Sequence, residues 1–221
     1  MVDPYGNVVN LHGVGVQPNW YWCKEKEKAW GSDYSLSNVK ACLEYFSKDF
    51  DMLTDSAQGA YCNCIRLSAD AAWVTDNGTA WDDYDPNKIN RTKLKNFTRA
   101  LFFPLAKNAI DRGMYVVLRP PTVFPYYDTT VGDDYNRMIL DCFDIFSQND
   151  SIKKYAGQIM FELGNEPINL WSSWDATANG GKGKGIWLAT PLAEAITLAI
   201  AVAGIRIKKG SPLNLMRFCK K

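Results

Sequence analysis

The sequence predicts an α/β fold in which a parallel sheet is joined by crossover helices, either an open doubly wound sheet or a (β/α)-barrel. Two observations carry this expectation. Short apolar runs alternate along the chain with segments of helical periodicity, and the run MYVVL at residues 114–118 is continuously apolar, as in a strand covered on both faces.

The first unit is a strand at residues 8–16 followed by a helix at 36–53, where Leu36, Val39, Leu43, Phe46, Phe50 and Leu53 recur at helical spacing. A second strand at 62–67 leads to a helix near 88–112 carrying Ile89, Leu94, Phe97, Leu101 and Leu105, with a kink expected at Pro104. Gly113 suits a helix C-cap and opens the third unit: a strand at 114–118 and a helix at roughly 133–148 with Tyr135, Ile139, Cys142, Phe143 and Phe146 inward. A fourth strand is expected at 158–163.

Beyond Trp171 the chain changes character. Residues 1–171 hold 17 Lys/Arg against 22 Asp/Glu, net −5, whereas residues 172–221 hold 8 against 2, net +6. That tail contains NGGKGKG, read as a flexible loop, then an apolar helix candidate near 191–203 and a basic terminus. The organisation is therefore an α/β unit over 1–171 and an atypical basic, Gly/Ala-rich tail over 172–221 that completes or caps the same domain.

A formal net charge of +1 without Lys/Arg blocks predicts neither nucleic acid nor an acidic membrane as partner. The longest apolar run, 195–205, falls far short of the ~20 residues that span a bilayer. The opening MVDPYGNVVNLHGVGV lacks the basic start and apolar run of a signal peptide, so a mature or recombinant start is expected. Six Cys without CxxC spacing and a single His predict no metal site, and without a phosphate-loop spacing no cofactor is expected. The Cys count fits a reduced chain or one with one or two disulfides.

In residues 160–170, MFELGNEPINL, an apolar strand runs into Asn165, Glu166 and Pro167, residues suited to a strand's carboxyl end rather than its interior. Together with DPYGNVVNLHGVG, NCIRL and DRGMYVVLRPP, in that order and spacing, this resembles the N-terminal half of glycoside hydrolase family 5, the cellulase family. The resemblance covers about residues 5–171. It implies a (β/α) TIM-barrel type fold, truncated to about half a barrel plus the tail, and retaining hydrolysis of β-1,4-glucan by a secreted, extracellular enzyme. It also implies Glu166 as general acid/base, Asn165 as the group that binds the sugar 2-hydroxyl, and Arg66 as support for the catalytic carboxylates.

Physical chemistry points the same way. Barrel active sites lie at the carboxyl ends of the strands, and glycosidic cleavage needs one carboxylic acid to protonate the leaving oxygen and a second carboxylate to attack or activate water. A guanidinium in an apolar strand needs a carboxylate partner, and Glu162 is one candidate for Arg66, whether in a structural ion pair or a direct role. His12 stands where the family carries Arg, the His expected after the third strand is missing from LRPPTVFP, and Arg119 is a candidate for part of that polar role.

The expected substrate-binding set is His12, Trp20, Trp22, Arg119 and Trp171, within a wider group of loop aromatics that includes Trp73, Trp81, Tyr84, Tyr126, Tyr127 and Trp174. Flat aromatic faces stack on pyranose rings, although at least half of such residues are expected to fill gaps under long loops. After Trp171 the only carboxylates are Asp175 and Glu194, so the nucleophile has no assignment. Unpaired edges on a half barrel predict self-association. Two further readings stand beside hydrolysis: a carbohydrate-binding half barrel without catalysis, and a fragment that does not fold cooperatively.

Overall fold

The structure, a computed structural model, describes residues 6–19, 34–58, 61–76, 88–121 and 133–162. Four strands, β1 (Gly13–Val16), β2 (Cys64–Ser68), β3 (Tyr115–Arg119) and β4 (Ile159–Phe161), form one parallel sheet in the order β1-β2-β3-β4. Helix α1 (Val39–Thr54) joins β1 to β2; α2 (Arg91–Phe97) and α3 (Phe103–Ile110) join β2 to β3; α4 (Asp133–Ser147) and α5 (Asp150–Lys154) join β3 to β4.

Strand order decides between the two architectures. A doubly wound sheet reverses direction partway, which places helices on both faces; three sequential right-handed crossovers between four strands place them all on one face. The order here is of the second kind and fits part of a (β/α)-barrel, with the sheet open among the described residues.

The register sorts the side chains into two faces. Val14, Ile65 and Val116 align with Ile159, and Val16, Leu67 and Leu118 with Phe161, giving an apolar face. It packs on Phe46 and Phe50 of α1, Leu105 and Ala109 of α3, and Phe143 and Phe146 of α4, all buried. Each large side chain removed from water contributes about 1.5–3 kcal/mol, so this one-sided layer holds the unit together. Gly13, Gly15, Cys64, Arg66, Ser68, Tyr115, Val117, Arg119 and Met160 fall on the opposite face, where charge appears.

Local chemistry accounts for the boundaries. Strand β1 starts at Gly13 rather than Val8 because side-chain amides replace the ladder below it: the His12 N–H donates to Asn63 Oδ1 at 2.7 Å, and Asn63 Nδ2 donates to the Asn10 carbonyl at 2.8 Å. Gly13 is required where the strands meet, since a Cβ there would lie 1.7 Å from the Cys64 carbonyl oxygen. Leu36 sits in a 3-10 turn before α1 and is exposed, while Cys42 takes an inward place in its stead.

Between α2 and α3 the chain makes a π-helical turn at Thr98–Phe102 just before Pro104, which has no N–H to continue the regular ladder. Gly113 adopts φ +82 after α3, as a C-cap position demands. Two Asn in N-x-S/T sequences are helix N-caps: Asn90 accepts from the Lys93 N–H and Asn149 from the Ser151 and Ile152 N–H groups.

Candidate active-face cluster

At the carboxyl ends of the strands the polar face carries one row of side chains. Ser68 pairs with Arg119 in the β2–β3 register; continuing each ladder by one residue places Gln17 beside Ser68 and Glu162 beside Arg119. The Glu162 N–H donates to the Leu118 carbonyl at 3.0 Å, so the parallel pairing extends that far. Alternation along a strand puts Arg66 on the same face as Ser68, one step nearer the amino end.

Arg66 reaches across β3 and binds Glu162 with both arms, Nε to Oε2 at 2.5 Å and Nη2 to Oε1 at 2.5 Å. The Arg66 side chain is 41% exposed and that of Glu162 16%, so the pair lies at the water boundary rather than deep in the protein. This is the partner that a guanidinium in strand β2 requires.

Behind the row lies Asp70, a side chain that sequence reasoning did not single out. It is 2% exposed and ties together three chain segments. Its Oδ1 accepts from Asn19 Nδ2 at 3.1 Å and from the Ala72 N–H at 2.8 Å, while its Oδ2 accepts from Gln17 Nε2. The Tyr34 hydroxyl donates to Asn19 Oδ1 at 3.1 Å, and Trp73 Nε1 donates to the Pro18 carbonyl at 2.5 Å. Burial pushes the Asp70 carboxyl above the usual value; its three donors and the charge of Arg119 pull it partway back.

A cleft of about 560 Å³ runs beside edge strand β1 and is lined by Gln17, Arg66, Ser68 and Arg119 together with apolar residues that include Val14 and Tyr45. The structure therefore brings Arg66 and Arg119 to one end of one face. It does not bring His12 there. His12 is exposed at the amino end of β1, with Nδ1 3.4 Å from the Tyr61 carbonyl, and the five intervening steps of strand separate it from Gln17 by on the order of 15 Å. Its place in LHGVG precedes strand β1 instead of ending it, so among the described residues His12 stands apart from the row.

Trp73 is one of the loop aromatics that fill the interior rather than stand open to a sugar. It is fully buried, edge-on to Tyr34 at 5.0 Å and beside Phe97 at 5.3 Å. Glu166, Asn165, Trp20, Trp22 and Trp171, with Trp81, Tyr84, Tyr126, Tyr127, Trp174 and the whole tail, lie outside the described residues. Among the described residues no group of His, Cys, Asp and Glu is arranged to hold a metal ion, and no helix is long and apolar enough to cross a membrane.

No family model matches the chain, and no curated protein matches it. Among solved structures, the chain is similar to the exo-beta-1,4-mannosidase Op5Man5 from Opitutaceae bacterium strain TAV5, at 14% sequence identity and a TM-score of 0.42. The match covers 92% of this chain and 31% of that one, so the chain spans less than a third of the length of this neighbour.

Proposed function

We propose that the chain is a glycoside hydrolase acting on β-1,4-linked polysaccharide, with glucan as the first substrate and Glu166 as proton donor. The observation that carries this reading is the polar row at the carboxyl ends of four parallel strands, with β4 ending at Phe161 and the Asn165-Glu166-Pro167 sequence following four residues later. Retaining chemistry places two carboxylates about 5–5.5 Å apart, one protonated and one ionised. The doubly hydrogen-bonded Arg66–Glu162 pair is neutral as a whole and fixes the backbone at the strand end that leads on to Glu166, which supports a carboxylic acid held in a defined place there.

Binding without hydrolysis is the second reading, favoured by the scarcity of carboxylates after Trp171, where Asp175 and Glu194 alone could serve as nucleophile. Self-association through edge strand β1 belongs to both readings as the route by which a partner chain supplies missing groups.

Reducing-sugar release from carboxymethylcellulose and from β-mannan, by wild type and Glu166→Gln, tests the proposal, with mass by light scattering on the same samples. Hydrolysis by wild type that disappears in the variant supports it. A folded wild type that releases no sugar from either polymer overturns it in favour of binding alone.

A further inference from the structure

Ser68 holds a buried hydroxyl without a hydrogen-bond partner. The residue is 3% exposed, and its Oγ is unbonded among the described residues. A buried polar atom left unpaired costs about 1–3 kcal/mol and calls for a reason. The hydroxyls of Thr75 and Thr98 are also unbonded, but neither lines the cleft, whereas Ser68 does.

Gln17 stands beside Ser68 in the extended register and lines the same cleft. Its side-chain nitrogen is committed to Asp70 through one N–H, which leaves the second N–H and the amide carbonyl to serve a ligand. Asp70 in turn is fixed by Asn19 and the Ala72 N–H, so the Gln17 amide is held in one orientation rather than free to rotate.

The chemistry of this pair selects a ligand class. A hydroxyl beside a carboxamide matches groups that donate and accept at once, as sugar hydroxyls do. Charge is balanced around them, with Arg66 bound to Glu162, Arg119 within the field of Asp70, and Asp49 on the cleft wall, so no net positive charge recruits an anion. Val14 and Tyr45 add apolar wall suited to the C–H surface of a pyranose.

We propose that Gln17 and Ser68 form a sugar-hydroxyl subsite at the carboxyl ends of β1 and β2, with Asp70 as its positioning residue. The inference rests on the polysaccharide reading above and adds to it where one sugar ring is held. Ser68 and Gln17 bind; the proton transfer assigned to Glu166 is separate from them.

The test is titration calorimetry of cellotetraose and mannotetraose with wild type, Ser68→Ala, Ser68→Val and Gln17→Leu, each checked by melting temperature, alongside polymer hydrolysis by the same samples. Losing one neutral hydrogen bond to a ligand weakens binding by about 3–10-fold. That loss, in variants that melt with wild type, is the expected result for Gln17→Leu and for at least the Ser68→Ala variant; Asp70→Asn should weaken binding also, and an unchanged Kd there removes its positioning role. Tetraose binding that neither Ser68 nor Gln17 substitution alters overturns the subsite, and so does a folded wild type that binds neither sugar. Binding that is sensitive to these variants without any hydrolysis overturns the hydrolase reading and leaves the subsite standing.

Discussion

Arg66 on β2 grips Glu162 beyond β4 across the intervening strand, through two N–H···O bonds of 2.5 Å each. Two strands that share no ladder are thereby coupled on the polar face. Arg66→Ala leaves a half-sheltered carboxylate without its cation and is expected to cost about 1–2 kcal/mol, the lower part of the range for charged hydrogen bonds because water screens the pair. Urea unfolding of Arg66→Ala, Glu162→Ala and the double variant should give a coupling of about 1 kcal/mol, and Arg66→Lys should not restore it, since an ammonium cannot make the two-armed contact. Strict additivity would mean that the contact contributes nothing.

The sign of the Asp70 shift sets a pH dependence. A carboxyl whose folded pKa lies above its unfolded value contributes stability that is present below the unfolded pKa and is lost as pH rises through the raised folded pKa. Asp70 belongs to this class because burial is the largest influence on it. In Asp70→Asn the Gln17 amide turns to offer its carbonyl, so the fold survives and this titration disappears. Wild type should therefore lose melting temperature relative to Asp70→Asn as pH is raised from about 4. A difference that is flat, or that grows in favour of wild type with rising pH, removes Asp70 as its source.

How much of this was legible from residues alone follows from the range of each signal. The strand-helix units were readable because buried positions repeat locally, and Phe46, Phe50, Leu94, Leu101, Leu105, Cys142, Phe143 and Phe146 are indeed buried. The need of Arg66 for a carboxylate was readable because a charged side chain in an apolar strand sets its own requirement. The row of Gln17, Ser68, Arg119 and Glu162 was not, since it exists only through register between strands far apart in sequence. Its one local trace is that Ser68 follows Arg66 by two residues. Asp70 has side-chain partners 51 and 53 residues away, and Trp73 is sheltered by Tyr34 and Phe97, so neither position betrays its depth locally.

The thiols give an independent readout of the core. Cys42, Cys62, Cys64 and Cys142 are buried and not joined in disulfides, and burial pushes the thiols of Cys64 and Cys142 up. Burial keeps the reagent from all four, so all should resist alkylation at pH 8 in the native state and label together on unfolding. Peptide mass spectrometry after brief iodoacetamide treatment resolves each site. Rapid native labelling of Cys42 or Cys142, both wholly buried, would be incompatible with the packing of α1 and α4 against the sheet.

Gly13 is the sharpest single test of the β1–β2 pairing. A methyl group there would have to occupy space 1.7 Å from the Cys64 carbonyl oxygen, and that oxygen is backbone, which cannot swing aside as a side-chain tip could. Gly13→Ala must therefore part the two strands or shift one of them, at a cost of about 3 kcal/mol or more, the upper part of the range for overpacked sites. Gly15, on the same face of the same strand, has nothing within 4 Å of its Cβ position, so Gly15→Ala should leave stability within about 1 kcal/mol of wild type. Thermal melts of the two variants should separate clearly. Equal melting temperatures would mean that β1 does not lie against β2 in this register, and the placement of Gln17 beside Ser68 would fall with it.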